Sequence, residues 1–284
     1  NVCAFLEREG FEITRLSVGE CGMVEVADVR AALRPDTILV TIMHANNEVG
    51  TIQPIAEIAA LARSRGIRMH TDAAQSLGKI PVDVNALGVD LLSMAGHKLY
   101  APKGVGALYV RRGCALETFM HGAGQETGRR AGTENILEIV GLGKACEVAA
   151  RNLEQNRRHL QAMRDRLHLA IAAGLTQVRL NGHPDTRLPN TLSLSFRELE
   201  ADRILEAIGL EVAASAGAAC HADSVEISHV LKAMAVPVEW AKGTLRLTTG
   251  RMTTTIEIDR AADVIVKAVK AMRENQVKRD EGGG

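Results

Sequence analysis

Aromatic residues are scarce in this 284-residue sequence, at 2%, so its hydrophobic core must consist of aliphatic side chains and alanine. The sequence also has no surplus of charge, because 34 basic and 34 acidic residues give a formal net charge of zero. Such a balance argues against nucleic acid or an anionic membrane surface as a partner. No apolar run is long enough for a bilayer-spanning helix, so we expect no membrane segment. Hydrophobic residues still make up 46% of the chain, which is enough for a large core.

Cysteine is too sparse and too scattered to indicate a structural role. The five cysteines form no CxxC pair and are odd in number: Cys3, Cys21, Cys114, Cys146 and Cys220. Disulfide frameworks and zinc sites show closer, paired spacings. We therefore predict that the protein holds no metal and works in the reducing cytoplasm.

The length of the chain predicts one large domain or two domains of ordinary size. The first residue is Asn1 rather than methionine, and the segment VCAFLEREG that follows it has a helical pattern. We therefore expect the chain to be a fragment that lacks the N-terminal part of a longer protein.

The first half of the sequence alternates between strand and helix patterns. Apolar, β-branched runs of strand length occupy 38–45, 67–74, 89–96 and 104–112, and residues 54–66 have apolar side chains at helical spacing. Strand, helix and strand in this order predict βαβ units and a parallel sheet covered on both faces. Such sheets bind ligands beyond the carboxyl ends of their strands.

The second half has a different texture. Residues 136–175 form one long helical pattern, charged on one face, that we predict to connect two domains. Short strands are predicted at 191–196 and 243–250, and an amphipathic helix at 257–275. This arrangement is typical of a separate α+β domain.

Charged and amide side chains stand directly after the predicted strands of the first half. Lys98 can form a Schiff base with a carbonyl group, although most lysines simply extend into solvent. Asp72 can keep a pyridine nitrogen protonated, or it can cap a helix that begins after it. An amine and an acid are the two features that pyridoxal phosphate requires above all. Gln75 can also donate a hydrogen bond to the phenolic oxygen of that cofactor, whereas we expect Lys79 and Lys103 to be solvent-exposed.

Five segments, in the same order along the chain, resemble the cysteine desulfurases and the closely related selenocysteine lyases. Together they span nearly the whole sequence. They are MHANNEVGTIQP (43–54), HTDAAQSLGKIPVDV (70–84), GHKLYAPKGVGALYVRRG (96–113), GAGQETGRRAGTEN (122–135) and SAGAACHAD (215–223).

The resemblance implies an α/β fold of the fold-type I class of pyridoxal-phosphate enzymes. A large cofactor-binding domain, with a mainly parallel sheet and helices on both faces, would span residues 1–145, without its N-terminal part. A smaller α+β domain would span residues 146–284 and carry the linking helix and the catalytic cysteine loop. The resemblance also implies the activity: release of sulfur from L-cysteine, with alanine as the other product.

The resemblance assigns cofactor-binding roles to five residues of this sequence. Lys98 would carry the cofactor as a Schiff base and then move protons on the substrate. Asp72 would pair with the pyridine nitrogen, and Gln75 would bind the phenolic oxygen. Asn47 would lie near that oxygen and the substrate carboxylate. His97 would line the phosphate end and belong to the catalytic set.

Three further residues complete the implied site. Thr133 would reach the cofactor phosphate of a second subunit across a homodimer interface. Arg246 would bind the substrate carboxylate, a task that suits a planar guanidinium. Cys220, in a segment of small residues, would accept the sulfur as a persulfide and pass it to an acceptor protein such as an iron–sulfur scaffold.

The sequence departs from the family pattern at two places. Ala95 stands where many desulfurases have a serine that contacts the phosphate, so one hydrogen bond to the phosphate must come from another group. A histidine that stacks on the pyridine ring and a threonine of a phosphate-binding loop lie upstream of the region that matches Asn1. The complete protein is therefore expected to supply them.

The sequence is also compatible with two other functions. The segment SAGAACH also resembles selenocysteine lyase, which releases selenium from L-selenocysteine. A non-catalytic relative that acts as a binding protein is the second alternative, but such a relative would be expected to have lost at least one of the residues above.

Overall fold

The computed structural model describes residues 2–221 and 224–282, and the side chains of 218–226 and 277–282 lie outside the description. The helices are α1 (Val2–Arg8), α2 (Val26–Ala32), α3 (Ile55–Ser64), α4 (Val84–Leu87), α5 (Gln125–Gly128), α6 (Ile136–Arg151), α7 (Leu153–Gly174), α8 (Ala201–Ile208), α9 (His229–Ala233), α10 (Val238–Ala241) and α11 (Thr255–Gly282). The strands are β1 (Leu39–Thr41), β2 (Arg68–Asp72), β3 (Leu91–Ala95), β4 (Gly106–Val110), β5 (Val178–Asn181), β6 (Thr191–Phe196), β7 (Ser215–Ala216), β8 (Ala218–His221), β9 (Ser224–Ile227) and β10 (Thr244–Thr248).

The first half forms a four-stranded sheet in the order β1-β2-β3-β4. Strand β2 pairs in parallel with both β1 and β3, whereas β4 runs antiparallel to β3. The segment between β3 and β4 is too short to cross the sheet, so β4 must return beside β3 in the opposite direction. The predicted α/β fold with a mainly parallel sheet is confirmed, with one antiparallel strand at its edge.

Helix α3 packs its apolar face against this sheet. Ile55, Ile58, Ala59 and Ala62 are buried in one cluster with residues of β1, β2 and β3. The helix follows Pro54 and ends before Gly66, whose φ of 68° suits glycine. The helix predicted at 54–66 is therefore confirmed, and its packing covers the parallel strands whose ends form the site.

The second half forms an antiparallel sheet in the order β5-β6-β10-β7. All six residues of β6 are buried: Leu192, Leu194 and Phe196 share a core with helices α7, α8 and α11, whereas Ser193 and Ser195 of the other face bond to polar side chains of β5 and β10. Phe196, at the end of β6, is 0% exposed in the middle of this core. The two strands predicted for this half are confirmed as β6 and β10, and the predicted helix lies within α11.

The long helical pattern at 136–175 is two helices rather than one, so that prediction was wrong. Helices α6 and α7 meet at Asn152, whose φ of −108° and ψ of 12° are not helical. Asparagine competes for backbone hydrogen bonds and disfavours the interior of a helix. The domain boundary between 145 and 146 stays a prediction.

The two halves are joined by a loop that follows β1. Leu188 N–H donates to Gly50 O at 2.9 Å, and Ile52 N–H donates to Thr186 O at 3.0 Å. Val49, in the same loop, is 1% exposed and packs with Leu231 and other side chains around α9 and α10. Backbone pairing and apolar burial thus fix one half against the other.

None of the helices within the described ranges combines the length and the apolar composition that a membrane-spanning helix needs.

A substitution at Gly243 would test how tightly the second half is packed. A Cβ atom there would lie 2.1 Å from Phe196 O, and a backbone atom cannot move aside as a flexible side chain can. Gly243→Ala is expected to lower the free energy of unfolding by about 1–3 kcal/mol, as overpacking commonly does. Denaturant unfolding followed by circular dichroism measures the change.

The matched control is Gly143→Ala in the exposed part of α6, where a Cβ would meet nothing within 4 Å. There alanine should stabilise the helix by roughly 0.5–1 kcal/mol. Equal effects at the two positions would contradict the packing account.

Candidate active site

Lys98 lies in a short 3-10 turn, Gly96–Leu99, that directly follows β3. The turn starts where the backbone must pass close to another strand. Gly96 N–H donates to Val105 O at 2.9 Å, and a Cβ on Gly96 would come within 2.8 Å of the same oxygen. The turn ends at Tyr100, whose φ of 64° is in the left-handed region. Lys98 is exposed at the carboxyl end of β3, as the sequence predicts.

Asn47 lies in the loop after β1, which is shaped by its neighbour Asn46. The Asn46 Oδ1 atom accepts hydrogen bonds from Glu48 N–H at 2.8 Å and Val49 N–H at 3.0 Å. Such an asparagine-centred turn replaces backbone pairing with side-chain pairing. It holds the exposed Asn47 at the same sheet edge as Lys98.

Asp72 and Gln75 follow β2, the strand between β1 and β3. Asp72 pairs with Ser93 in the register of the parallel sheet. The Asp72 Oδ1 atom accepts a hydrogen bond from Ala74 N–H at 2.8 Å, but a turn and not a helix follows, so the helix-capping alternative is wrong and Asp72 supports a turn instead. Both residues therefore occupy the predicted strand end.

Arg246 approaches the same edge from the second half, on β10. Its Nη1 donates to Asn47 O at 3.2 Å, and its Nη2 is 3.4 Å from Ser215 Oγ, which can accept a hydrogen bond. These two contacts hold the plane of the guanidinium between the two sheets. Because the group is half-buried, it is available to an anionic ligand on its remaining side.

One cavity of about 500 Å³ brings these elements together. Five of the predicted site residues line it: Asn47, Gln75, His97, Lys98 and Arg246. The cavity lies beyond the carboxyl ends of the parallel strands, where ligands bind in open α/β sheets.

The charge of the cavity is strongly one-sided. Lys79, Lys98, Arg246 and Arg251 line it, and no carboxylate is among the described residues that do so. Grouped cations are favourable only where an anion compensates them. The cavity therefore suits a ligand that carries phosphate and carboxylate groups.

Three predicted residues are not among the side chains that line the cavity. Asp72 is exposed at its strand end, and Thr133 is exposed in the segment that precedes α6. Cys220 is on β8, opposite Val225 in the β8–β9 hairpin, and its side chain lies outside the described residues. The roles of these residues stay predictions.

Lys79 is the main site residue that the sequence interpretation missed. It is half-buried in the cavity rather than solvent-exposed, and its Nζ donates to Gln75 O at 2.8 Å. Burial, and to a smaller extent the nearby charge of Lys98, lower the pKa of Lys79 to about 8. The available signal was that Lys79 lies within HTDAAQSLGKIPVDV (70–84), a segment that resembles the desulfurases. Lys103 is exposed, as expected.

Comparison with known proteins gives the site its class. The sequence profile of the class-V aminotransferase family matches residues 1–261 of the chain. A solved structure described as a NifS-like protein superposes with a TM-score of 0.87 at 32% identity, covering 94% of this chain and 71% of that one.

Sequence relatives narrow the class. A cysteine desulfurase IscS from Methanosarcina thermophila is 46% identical over 274 residues, which is 96% of this chain and 68% of the relative. A solved structure described as SspA in complex with cysteine is 36% identical, with a TM-score of 0.73, and covers 89% of this chain and 71% of that one. The chain belongs to the class-V aminotransferases and, within them, to the cysteine desulfurases.

The pKa of Lys79 makes stability depend on pH. Because the folded state lowers this pKa from 10.5 to about 8, folding is opposed most strongly below pH 8, where the buried amine is charged. As pH rises from 8 towards 10.5, the folded state has already lost the proton that the unfolded state still binds. The wild type should therefore gain stability relative to Lys79→Met across this window.

Urea unfolding at a series of pH values measures the difference between wild type and variant. The control is Lys103→Met, at an exposed lysine of the same region, for which the difference should stay flat. A flat difference for Lys79→Met as well would show that the amine is not buried in solution.

Proposed function

We propose that this cysteine desulfurase depends on pyridoxal phosphate, that it converts L-cysteine to L-alanine, and that it leaves a persulfide on Cys220. The observation that carries the proposal is the convergence of Lys98, Gln75 and Asn47 with Arg246 in one cationic cavity. The first three follow strands of the parallel sheet, and Arg246 comes from the second half of the chain.

The residues present fit the proposed cofactor. Pyridoxal phosphate needs an amine for its aldehyde, polar groups for its ring and a cationic environment for its phosphate. Lys98 supplies the amine, Gln75 supplies a donor, and the lysines and arginines of the cavity supply the positive charge. When bound, the cofactor supplies an electron sink for negative charge that develops at the substrate Cα.

Four side chains would hold the cofactor in the first half. Lys98 would bind its aldehyde carbon and later take and return a proton at the substrate Cα. Gln75 would donate to its phenolic oxygen, and His97 would lie at its phosphate end. Asp72, at the neighbouring strand end, would keep its ring nitrogen protonated, because an opposing charge favours the charged form.

Arg246 and Asn47 would bind the carboxylate of L-cysteine. A guanidinium can donate two parallel hydrogen bonds to a carboxylate. The contacts of Arg246 with Asn47 O and Ser215 Oγ orient this group before substrate arrives. A preorganised clamp of this kind lowers the entropic cost of positioning the substrate.

Cys220 would take the sulfur. Its thiolate attacks the sulfur of L-cysteine, a sulfur–sulfur bond forms and the bond between that sulfur and Cβ breaks. The Cβ atom then receives a proton, so the products are L-alanine and a Cys220 persulfide. The atoms and electrons balance without an external oxidant or reductant.

We propose that the persulfide sulfur passes to an acceptor protein such as an iron–sulfur scaffold, and that the reaction takes place in the cytoplasm.

We also propose that the protein is a homodimer, with Thr133 close to the second subunit. Exposed apolar side chains flank Thr133 on both sides in the sequence: Phe119 is 91% exposed, Leu137 86% and Val140 65%. Ala131 N–H donates to Met120 O at 3.1 Å, so the chain folds back and brings the segment of Phe119 beside the segment that leads to Thr133. Such a patch is typical of a surface that a second copy covers.

The chemistry is tested first by the visible absorption of the purified chain with added pyridoxal phosphate. We expect a band of lysine-bound cofactor that Lys98→Ala abolishes, together with alanine release from L-cysteine. Lys103→Ala is the control and should keep both signals. Cys220→Ala should keep the band but lose the persulfide, which mass spectrometry detects.

Two results would contradict the proposal. A band that survives in Lys98→Ala would place the cofactor on another amine. Turnover of L-selenocysteine but not of L-cysteine, with selenide release insensitive to Cys220→Ala, would favour selenocysteine lyase instead.

The dimer is tested by sedimentation of Leu137→Glu. A charge in the centre of an apolar interface is costly to desolvate, so we expect this variant to be monomeric. The control is Leu210→Glu, at a fully exposed leucine of the second half, which should remain dimeric. A dimer in both variants would place the interface elsewhere.

A further inference from the structure

Tyr100 combines an unfavourable backbone with contacts to the second half of the chain. It ends the turn that carries Lys98, and its φ of 64° and ψ of 21° are in a region that bulky residues rarely adopt. Such conformations persist where the surrounding structure holds them in place, and they cluster at functional sites.

The side chain of Tyr100 is held by the segment that follows β10. The backbone N–H of Arg251 donates to the Tyr100 hydroxyl at 3.1 Å. The guanidinium carbon of Arg251 lies 4.2 Å from the centre of the tyrosine ring, within cation–π distance. A Cβ on Gly250 would lie 3.1 Å from the same hydroxyl, so glycine allows the close approach.

These contacts connect the two groups that the proposed reaction uses. Tyr100 follows Lys98 by two residues at the end of one turn, and Arg251 follows Arg246 by five residues, in the segment after β10. All four side chains line the same cavity. The segment after β10 is itself fixed, because Gly250 N–H donates to Thr253 Oγ1 at 2.9 Å and Thr249 N–H donates to Asn190 O at 3.0 Å.

We propose that Tyr100 and Arg251 form a clasp between the two halves that positions Lys98 relative to Arg246. Tyr100 and Arg251 are positioning residues: they set the separation between the amine that holds the cofactor and the guanidinium that binds the substrate carboxylate. This inference rests on the proposed function, because the separation of Lys98 and Arg246 matters only if the first holds the cofactor and the second binds the substrate carboxylate.

The clasp is tested by steady-state kinetics of four variants of the full chain loaded with pyridoxal phosphate. Tyr100→Leu removes the hydroxyl and the ring, and should raise the KM for L-cysteine about tenfold with a smaller change in kcat, since misplaced groups bind the substrate less well. Tyr100→Phe keeps the ring under Arg251 and should cost only about two- to threefold. Arg251→Ala should resemble Tyr100→Leu, and Arg251→Lys should recover part of the loss.

A double-mutant cycle separates positioning from a general structural role. In the Arg246→Ala background the carboxylate clamp is gone, so Tyr100→Leu should add less than about a twofold further effect. A full tenfold effect in both backgrounds would overturn the clasp. An effect of Arg251→Ala without one of Tyr100→Leu would also overturn it, because Arg251 would then act on the ligand directly.

The matched control is Tyr109→Phe. Tyr109 lies on β4 and has its own arginine, Arg111, 5.9 Å from the ring centre, but neither residue lines the cavity. The KM of Tyr109→Phe for L-cysteine should equal that of the wild type. The visible band and alanine release of the wild type report on the proposed function itself, whereas the cycle reports on the clasp. Loss of the band in Tyr100→Leu would show that the turn has collapsed and would overturn the proposal.

Discussion

The hydrogen bond from Arg246 to the carbonyl oxygen of Asn47, at 3.2 Å, joins the edge of the parallel sheet to the antiparallel sheet of the second half. Neither sheet has a complete site by itself, because the amine and the amides belong to one and the guanidinium to the other. The contact requires the loop after β1 to be fixed. That loop is pinned by the pairing of Gly50 with Leu188 and by the burial of Val49. These contacts therefore bring Arg246 to the sheet edge that carries Asn47 and Lys98.

The positive charges that line the cavity repel one another, and this repulsion lowers the stability of the folded chain. Lys79 shows it most clearly, because both burial and the charge of Lys98 lower its pKa. Partial burial of a lysine without a carboxylate partner costs stability, and an anionic ligand would offset that cost. Binding of an anion to the cavity would therefore stabilise the folded chain. Stability and affinity are coupled here through the same side chains.

The sequence predicts the parts of this structure that depend on local patterns. The helix at 54–66 and the strand ends that carry Asn47, Asp72 and Lys98 follow from periodicity and from the known ligand side of parallel sheets. The break at Asn152 was missed, because one unfavourable residue within a long periodic segment leaves the apolar pattern intact. The β8–β9 hairpin was missed for a related reason: its first strand has the sequence AACH, which contains no β-branched or aromatic strand former.

Contacts between distant segments explain the remaining misses. Tyr100 meets Arg251 across 151 positions of sequence, and no local pattern encodes such a pairing. Gly96 and Tyr100 stand at the two ends of one turn, and each meets a local requirement of the backbone there. Gly96 allows the backbone to pass Val105 O, and Tyr100 closes the turn in a left-handed conformation. A glycine would close it with less strain, but it would offer neither a ring nor a hydroxyl to the second half. The presence of tyrosine at this position is therefore explained by its partner and not by its backbone.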